Sequence, residues 1–254
     1  MPEVHMFACL SDNYGYLLHD AKAGLTAAID TPDADAISAQ LSRKGWRLTH
    51  ILNTHHHGDH AGGNLALKAA TQCEIIGPRA DAARIPGIDR GVGDGDTIEF
   101  GEHRIEVFDT PGHTRGHIVY LLRNERIAFV GDTLFSMGCG RLFEGTPAQM
   151  WDSLQKILTW PDDTKLYCAH EYTQANGRFA QSVEPGNAAL GARLEEVTAL
   201  RAQDRPTVPT TLELEKRTNP FLRPDSEHLQ QTIGLTGAPI VDVFARTREL
   251  KDSF

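Results

Sequence analysis

Apolar residues in the first two-thirds of the chain fall into short runs, punctuated by turn residues and interleaved with helical spacings. Residues 15–18 and 26–29 read as strands. Residues 33–44 read as a helix that places Ile37 and Leu41 on one face and stops at Gly45. Residues 50–53 form a short buried strand, 65–70 a helical stretch and 73–76 another strand. Two strand pairs follow, 97–100 with 105–108 and 118–122 with 127–130, the second joined around Asn124. Thr146, Pro147 and Gln149 spell a capping box with proline at the first helical position. The helix behind them shows Met150, Trp151, Leu154, Ile157 and Leu158 on its apolar side. Residues 166–169 are the last strand the pattern predicts.

From Tyr172 onward the texture is helical. Leu190, Leu194, Val197 and Leu200 recur at helical spacing within 188–202, as do Ile240, Val243, Phe244 and Leu250. Pro-rich connectors are read at 205–210 and 219–224. Strands mixed with helices, then helices alone, imply two units. The expected boundary lies near Glu171, with a domain over 1–171 and a helical one over 172–254. No internal repeat or low-complexity segment interrupts either.

Composition narrows the function. At 254 residues and 40% hydrophobic, the chain is long and apolar enough for a sizeable core. A net charge of −9 is the wrong sign for a protein that grips nucleic acid, so no nucleic-acid partner is expected. No apolar run is long enough to span a bilayer, and the first residues do not read as a secretion signal. Four scattered cysteines, Cys9, Cys73, Cys139 and Cys168, form no CxxC pair. Free thiols in a reducing, cytoplasmic setting are the expectation.

The chemistry concentrates in Thr54-His55-His56-His57-Gly58-Asp59-His60, directly after the 50–53 strand. In a loop, His55 and His57 can turn one way while Asp59 and His60 turn another, which suits two neighbouring ions. A solvated histidine tract would look similar in isolation. Further donors at strand ends argue against that: His113 in TPGHT, Asp132 in VGDT and His170 after the 166–169 strand. His55, His57 and His113 then make one set, and Asp59, His60 and His170 another. Asp132, with two oxygens, can bridge them while each ion keeps room for a shared water. His56 and His117 are read as supporting residues, and His5, His19, His50, His103 and His228 as ordinary ones. Cys139 lacks a separate base and is not read as a nucleophile.

THHHGDH, TPGHT, VGDT and the late histidine resemble the metallo-β-lactamase superfamily, which implies an αβ/βα sandwich. GDTLFSMGCGRLFEG, CAHEYT, NPFLR and the terminal RELKDSF make the narrower resemblance, to glyoxalase II, the hydroxyacylglutathione hydrolases, essentially end to end. The resemblance implies the same seven metal ligands. It also implies hydrolysis of S-D-lactoylglutathione to glutathione and D-lactate, the second step of methylglyoxal detoxification. Two divalent ions are implied, zinc foremost, with iron and manganese compatible with the same donors. It implies that Arg141, Phe143, Tyr172, Arg248 and Lys251 meet the glutathione moiety. Read from spacing alone, Arg248 and Lys251 could equally be a solvated helix face. Position 143 often carries a tyrosine in that family, so the hydroxyl that Phe143 lacks is a departure, and Gly58 is a smaller one. Asp59 and Asp132 are the expected orienters of the attacking water, and a monomer is expected. A lactonase would share the metals but need no paired cations. A glutathione persulfide dioxygenase would not need the complete second ligand set.

Overall fold

In the computed structural model, which describes every residue from Met1 to Phe254, the first sheet is laid down in chain order. Its strands are β1 (Glu3–Cys9), β2 (Asn13–Asp20), β3 (Leu25–Ile29), β4 (His50–Leu52), β5 (Glu74–Pro78) and β6 (Arg90–Val92). β1, β2 and β3 are antiparallel neighbours, and β3 through β6 are parallel. Helices α1 (Ala34–Lys44), α2 (Gly58–Ala61) and α3 (Asn64–Thr71) lie in the crossovers, as parallel pairing requires.

α1 starts where Asp33 accepts hydrogen bonds from the Asp35 and Ala36 amides, and it ends at Gly45 in the left-handed region (φ 66°). Its Ile37 and Leu41 pack with Leu17, Ala28, Ile51, Ile75 and, from α3, Leu67. Fully burying each such side chain contributes about 1.5–3 kcal/mol. The other face of β2 meets a second set of strands, β7 (Thr97–Phe100), β8 (His103–Asp109), β9 (Ile118–Leu122) and β10 (Ile127–Gly131). These are antiparallel in the order β10-β9-β8-β7. Tyr16 on β2 packs on Phe129 of β10 at 5.6 Å, and the Tyr120 hydroxyl donates to the Asn53 carbonyl at 2.6 Å. Strands covered on both faces carry continuous apolar runs, which is why β9 and β10 are buried throughout.

The remaining elements are β11 (Leu134–Phe135), β12 (Gly138–Cys139), α4 (Pro147–Leu158), β13 (Lys165–Cys168), α5 (Thr173–Val183) and α6 (Ala188–Arg201). They are followed by β14 (Thr210–Thr211), α7 (Leu212–Thr218), α8 (Glu227–Thr232) and α9 (Ile240–Ser253). The capping box at Thr146 and Gln149 is formed, ahead of Pro147. The chain divides into two compact units, Met1–Asp109 with Arg115–Gly131, and Thr110–Thr114 with Asp132–Phe254.

Several elements differ from the pattern-based reading, among them β6, β11 and β12, strands too short to leave an apolar pattern. β1 was not foreseen, because an edge strand with His5 and Phe7 on one side does not alternate cleanly. The 166–169 strand is not the last: the supposed connector at 205–210 ends in β14, paired antiparallel with β13. Asp59 and His60 stand on the short helix α2 rather than in a loop.

Candidate metal centre

In the first unit the centre is built around a carboxylate. Asp30 follows β3 in the left-handed region (φ 58°) and is buried. It accepts from the Thr54 amide at 2.7 Å, the Thr54 hydroxyl at 2.7 Å and His60 Nδ1 at 2.8 Å. A carboxylate can only accept here, so Nδ1 of His60 carries the proton and Nε2 keeps its lone pair. The Thr54 hydroxyl donates to Asp30, so it accepts from His55 Nδ1 at 3.1 Å, and again Nε2 keeps its lone pair. That Nε2 lies 3.0 Å from His57 Nδ1. Asp59 Oδ2 lies 3.6 Å from His60 Nε2 and accepts from Asn13 Nδ2 at 3.2 Å.

The second unit supplies the strand-end donors. Asp132 follows β10, and its two oxygens face two imidazoles: Oδ2 is 3.3 Å from His113 Nε2, and Oδ1 is 3.5 Å from His170 Nε2. His113 Nδ1 donates to the Arg141 carbonyl at 2.9 Å, which fixes its tautomer as in the first unit. The His170 ring stacks on Tyr172 at 4.7 Å. Gly131, just before Asp132, has φ 48°, and a Cβ there would meet the Thr54 hydroxyl at 2.7 Å and His117 Nε2 at 2.8 Å, so a side chain is excluded.

These separations test whether metal fits. Two ligands at about 2.0–2.1 Å from a tetrahedral ion stand roughly 3.3 Å apart. The spacings between 3.0 and 3.6 Å match that edge. Within the first unit the donors so spaced are His55, His57, Asp59 and His60, and within the second they are His113, Asp132 and His170. Imidazole and carboxylate donors with outer nitrogens already committed are the chemistry a divalent ion requires.

The residues expected at glutathione are also placed. Phe143 is 63% exposed, its ring edge-on to His113 at 5.2 Å. Tyr172 is partly exposed. Arg141 is largely exposed, with Nε 3.9 Å from Asp252. Arg248 is not on a solvated face: it is buried, donates through Nη1 to the Cys139 carbonyl at 2.9 Å, and pairs with Asp252 at 2.9 Å. Lys251 Nζ sits 5.6 Å over the Phe179 ring. Burial, and then the nearby cations Arg248, Arg141 and Arg178, hold the Lys251 ammonium below its ordinary pKa. Burial pushes the Cys139 thiol up to about 11, so it is not a thiolate at neutral pH. His56 turns to Asp81 at 3.2 Å and Arg84 at 3.1 Å, and His117 stacks on His55 at 4.8 Å.

Asp30 and Asn13 escaped the sequence reading. Asp30 had a signal: an apolar run ending on an acid, Ala27-Ala28-Ile29-Asp30, is the same pattern that drew attention to Asp132. Asn13 had none.

Comparison with known proteins agrees along the whole chain. Residues 23–170 match the metallo-beta-lactamase superfamily, and residues 171–254 match the family described as hydroxyacylglutathione hydrolase C-terminus. The chain is 53% identical over 251 residues to the hydroxyacylglutathione hydrolase of Maricaulis maris (strain MCS10), covering 99% of this chain and 98% of that one. It is 52% identical over 254 residues to the hydroxyacylglutathione hydrolase of Methylococcus capsulatus (strain ATCC 33009 / NCIMB 11132 / Bath), covering 100% and 99%. The crystal structure of ETHE1 from Myxococcus xanthus superposes with a TM-score of 0.68 at 26% identity, over 99% of this chain and all 100% of that one. BLEG-1 B3 metallo-beta-lactamase, at 22% identity and a TM-score of 0.65 over 88% of this chain and 100% of its own, shares the fold. The architecture is thus the metallo-β-lactamase α/β sandwich followed by a helical C-terminal segment.

Proposed function

The chain belongs to the hydroxyacylglutathione hydrolase family of the metallo-β-lactamase superfamily, and on that premise we propose that it hydrolyses S-(2-hydroxyacyl)glutathione, S-D-lactoylglutathione in particular, at a two-metal centre. The observation that carries this reading is the placement of Asp132, one carboxylate whose two oxygens face two imidazoles already tautomerically or sterically fixed. His55, His57 and His113 would hold one ion, Asp59, His60 and His170 the other, and Asp132 would bridge them. Zinc suits the donors best, with iron and manganese also accommodated. Such ions would lower the pKa of a bound water toward neutrality and polarise a carbonyl.

The rest is the protein's work. Asp59, held by Asn13, and Asp132 orient the attacking water by accepting its hydrogen bonds. Water oxygen bonds to the thioester carbon, the C–S bond breaks, and the electron pair leaves on sulfur as a thiolate. A thiol of pKa about 8.5 needs little protonation to leave. The products are glutathione and D-lactate, and the water's protons pass to solvent. Arg141, Arg248 and Lys251 neutralise the glutathione carboxylates, with Tyr172 and Phe143 against its uncharged part. Residues 1–171 act as the catalytic domain and 172–254 as the substrate-binding domain.

No helix of the protein is long and apolar enough to cross a membrane. We place the enzyme in the cytoplasm as a monomer without a nucleic-acid partner, consistent with its charge of −9. Release of thiol from S-D-lactoylglutathione by purified protein, with metal analysis of the same sample, tests the reading. Two ions per chain and steady hydrolysis are expected. Fully loaded protein that leaves the thioester intact, or that consumes oxygen with glutathione persulfide, overturns it.

A further inference from the structure

The segment after Asp132 orients two groups through its backbone alone. The Cys139 carbonyl accepts from Arg248, and the Arg141 carbonyl accepts from His113 Nδ1, both at 2.9 Å. Both carbonyls follow from the β11–β12 hairpin, whose strands are two residues each. So short a hairpin does not hold itself. Its turn residue Met137 stands at φ 55°, in the left-handed region that a side chain with a Cβ disfavours. Such a conformation persists only where the surroundings impose it.

Helix α7 and the residue after it impose it. Glu215, fully buried, accepts the Met137 amide at 2.7 Å. Asn219, also fully buried, donates to the Phe135 carbonyl at 3.1 Å, the Gly138 carbonyl at 3.0 Å and Glu215 at 3.0 Å. The other Glu215 oxygen accepts from the Thr210 hydroxyl at 2.7 Å. The asparagine is the first residue of the NPFLR motif, to which the chemistry gives no other task.

We propose that Glu215 and Asn219 are a positioning pair: by fixing the β11–β12 hairpin, they set the Cys139 carbonyl that orients Arg248 and the Arg141 carbonyl that orients His113. Both side chains are fully buried, and their role is positional. The inference rests on the proposed function for the ligand that Arg248 meets and for the ion that His113 would hold.

The test compares Asn219→Ala, which releases the hairpin, with Thr210→Val, which removes a buried hydrogen bond to the same carboxylate without touching it. Binding of S-hexylglutathione, a thioether that cannot be hydrolysed, is measured by calorimetry, and zinc affinity by chelator competition, well below each melting midpoint. Asn219→Ala should weaken both about tenfold, the lower end of what losing an outer partner of a metal ligand costs. Thr210→Val should move each less than twofold. Glu215→Gln, which turns an amide toward one of its former donors, should reproduce the Asn219→Ala pattern and serves if that variant does not fold. Folded Asn219→Ala or Glu215→Gln protein that binds both probes as well as the parent overturns the proposal. If the parent binds S-hexylglutathione but fails to hydrolyse the lactoyl thioester, the proposed reaction falls and the positioning pair stands. If the parent does not bind the thioether, zinc affinity alone decides the pair.

Discussion

Two buried carboxylates organise the two halves of the donor set, and they do so differently. Asp30 holds the His-rich segment directly, bonding the amide and hydroxyl of Thr54 and the ring of the donor His60. Glu215 holds the segment after Asp132 only through the Met137 amide and a neighbouring asparagine. In the first case the strained backbone is the carboxylate's own, and aspartate tolerates the left-handed region comparatively well. In the second it belongs to a methionine, which does not, so the constraint has to come from outside. Direct support acts on one ligand ring at a time, whereas support through backbone fixes where a loop lies and, through that loop's carbonyls, both a ligand ring and a guanidinium. Losing the first should therefore fall on metal affinity alone, and losing the second on metal and substrate together.

The largest effect expected tests whether the halves depend on one shared residue. Asp132→Ala removes the carboxylate that faces both His113 and His170. Activity should fall by roughly 10³-fold or more, since several kcal/mol of charge stabilisation go with the metals. Metal content after dialysis should drop for both ions. One tightly held ion in this variant would show that the carboxylate does not bridge.

Asp30→Asn probes the direct mode of support. The amide keeps the shape but presents a donor to groups that are themselves donors. Zinc affinity should weaken about 10–100-fold, while the S-hexylglutathione affinity of protein saturated with zinc should stay within twofold. Parallel loss of both would erase the distinction drawn between the two carboxylates.

Lys251 sharpens the substrate side. Lys251→Ala should raise KM for the lactoyl thioester about tenfold with little change in kcat, because a remote charge acts on ground and transition state alike. Burial first, then Arg248, Arg141 and Arg178, lower its pKa from the ordinary 10.5. As pH rises through the lowered value the charge is lost, so KM should climb earlier than an unperturbed lysine would dictate. Folding disfavours the charged form, so the same rise in pH strengthens this residue's contribution to stability, up to the ordinary value. A KM profile in Lys251→Ala that keeps the alkaline limb would assign it to another group.

The smallest effect concerns Phe143→Tyr. A hydrogen bond to a charged group is worth about 1.5–3 kcal/mol net, but at a site 63% exposed most of that is lost to water. KM should fall a few-fold and kcat hold. An unchanged or raised KM would mean that the pocket is already packed around the phenylalanine.

The sequence by itself determined the local parts. Apolar runs marked nearly every central strand, Asp33 and Gly45 bounded α1, and the Thr146 capping box opened α4, because propensity and capping act within a few residues. The donors were legible for the same reason: four crowd into one His-rich run after β4, and His113, Asp132 and His170 follow β8, β10 and β13 within a few residues. Tertiary structure alone decided which support each donor leans on. Nothing near Asp59 in the chain points to Asn13, and Met137 and Glu215 are joined only by folding. Arg248, which spacing left open between a binding cation and a solvated face, is neither visibly free nor solvated once α9 is packed, because its guanidinium is bound to Cys139 and Asp252. Burial and long-range hydrogen bonds depend on what the fold brings against a residue, and no local pattern encodes that.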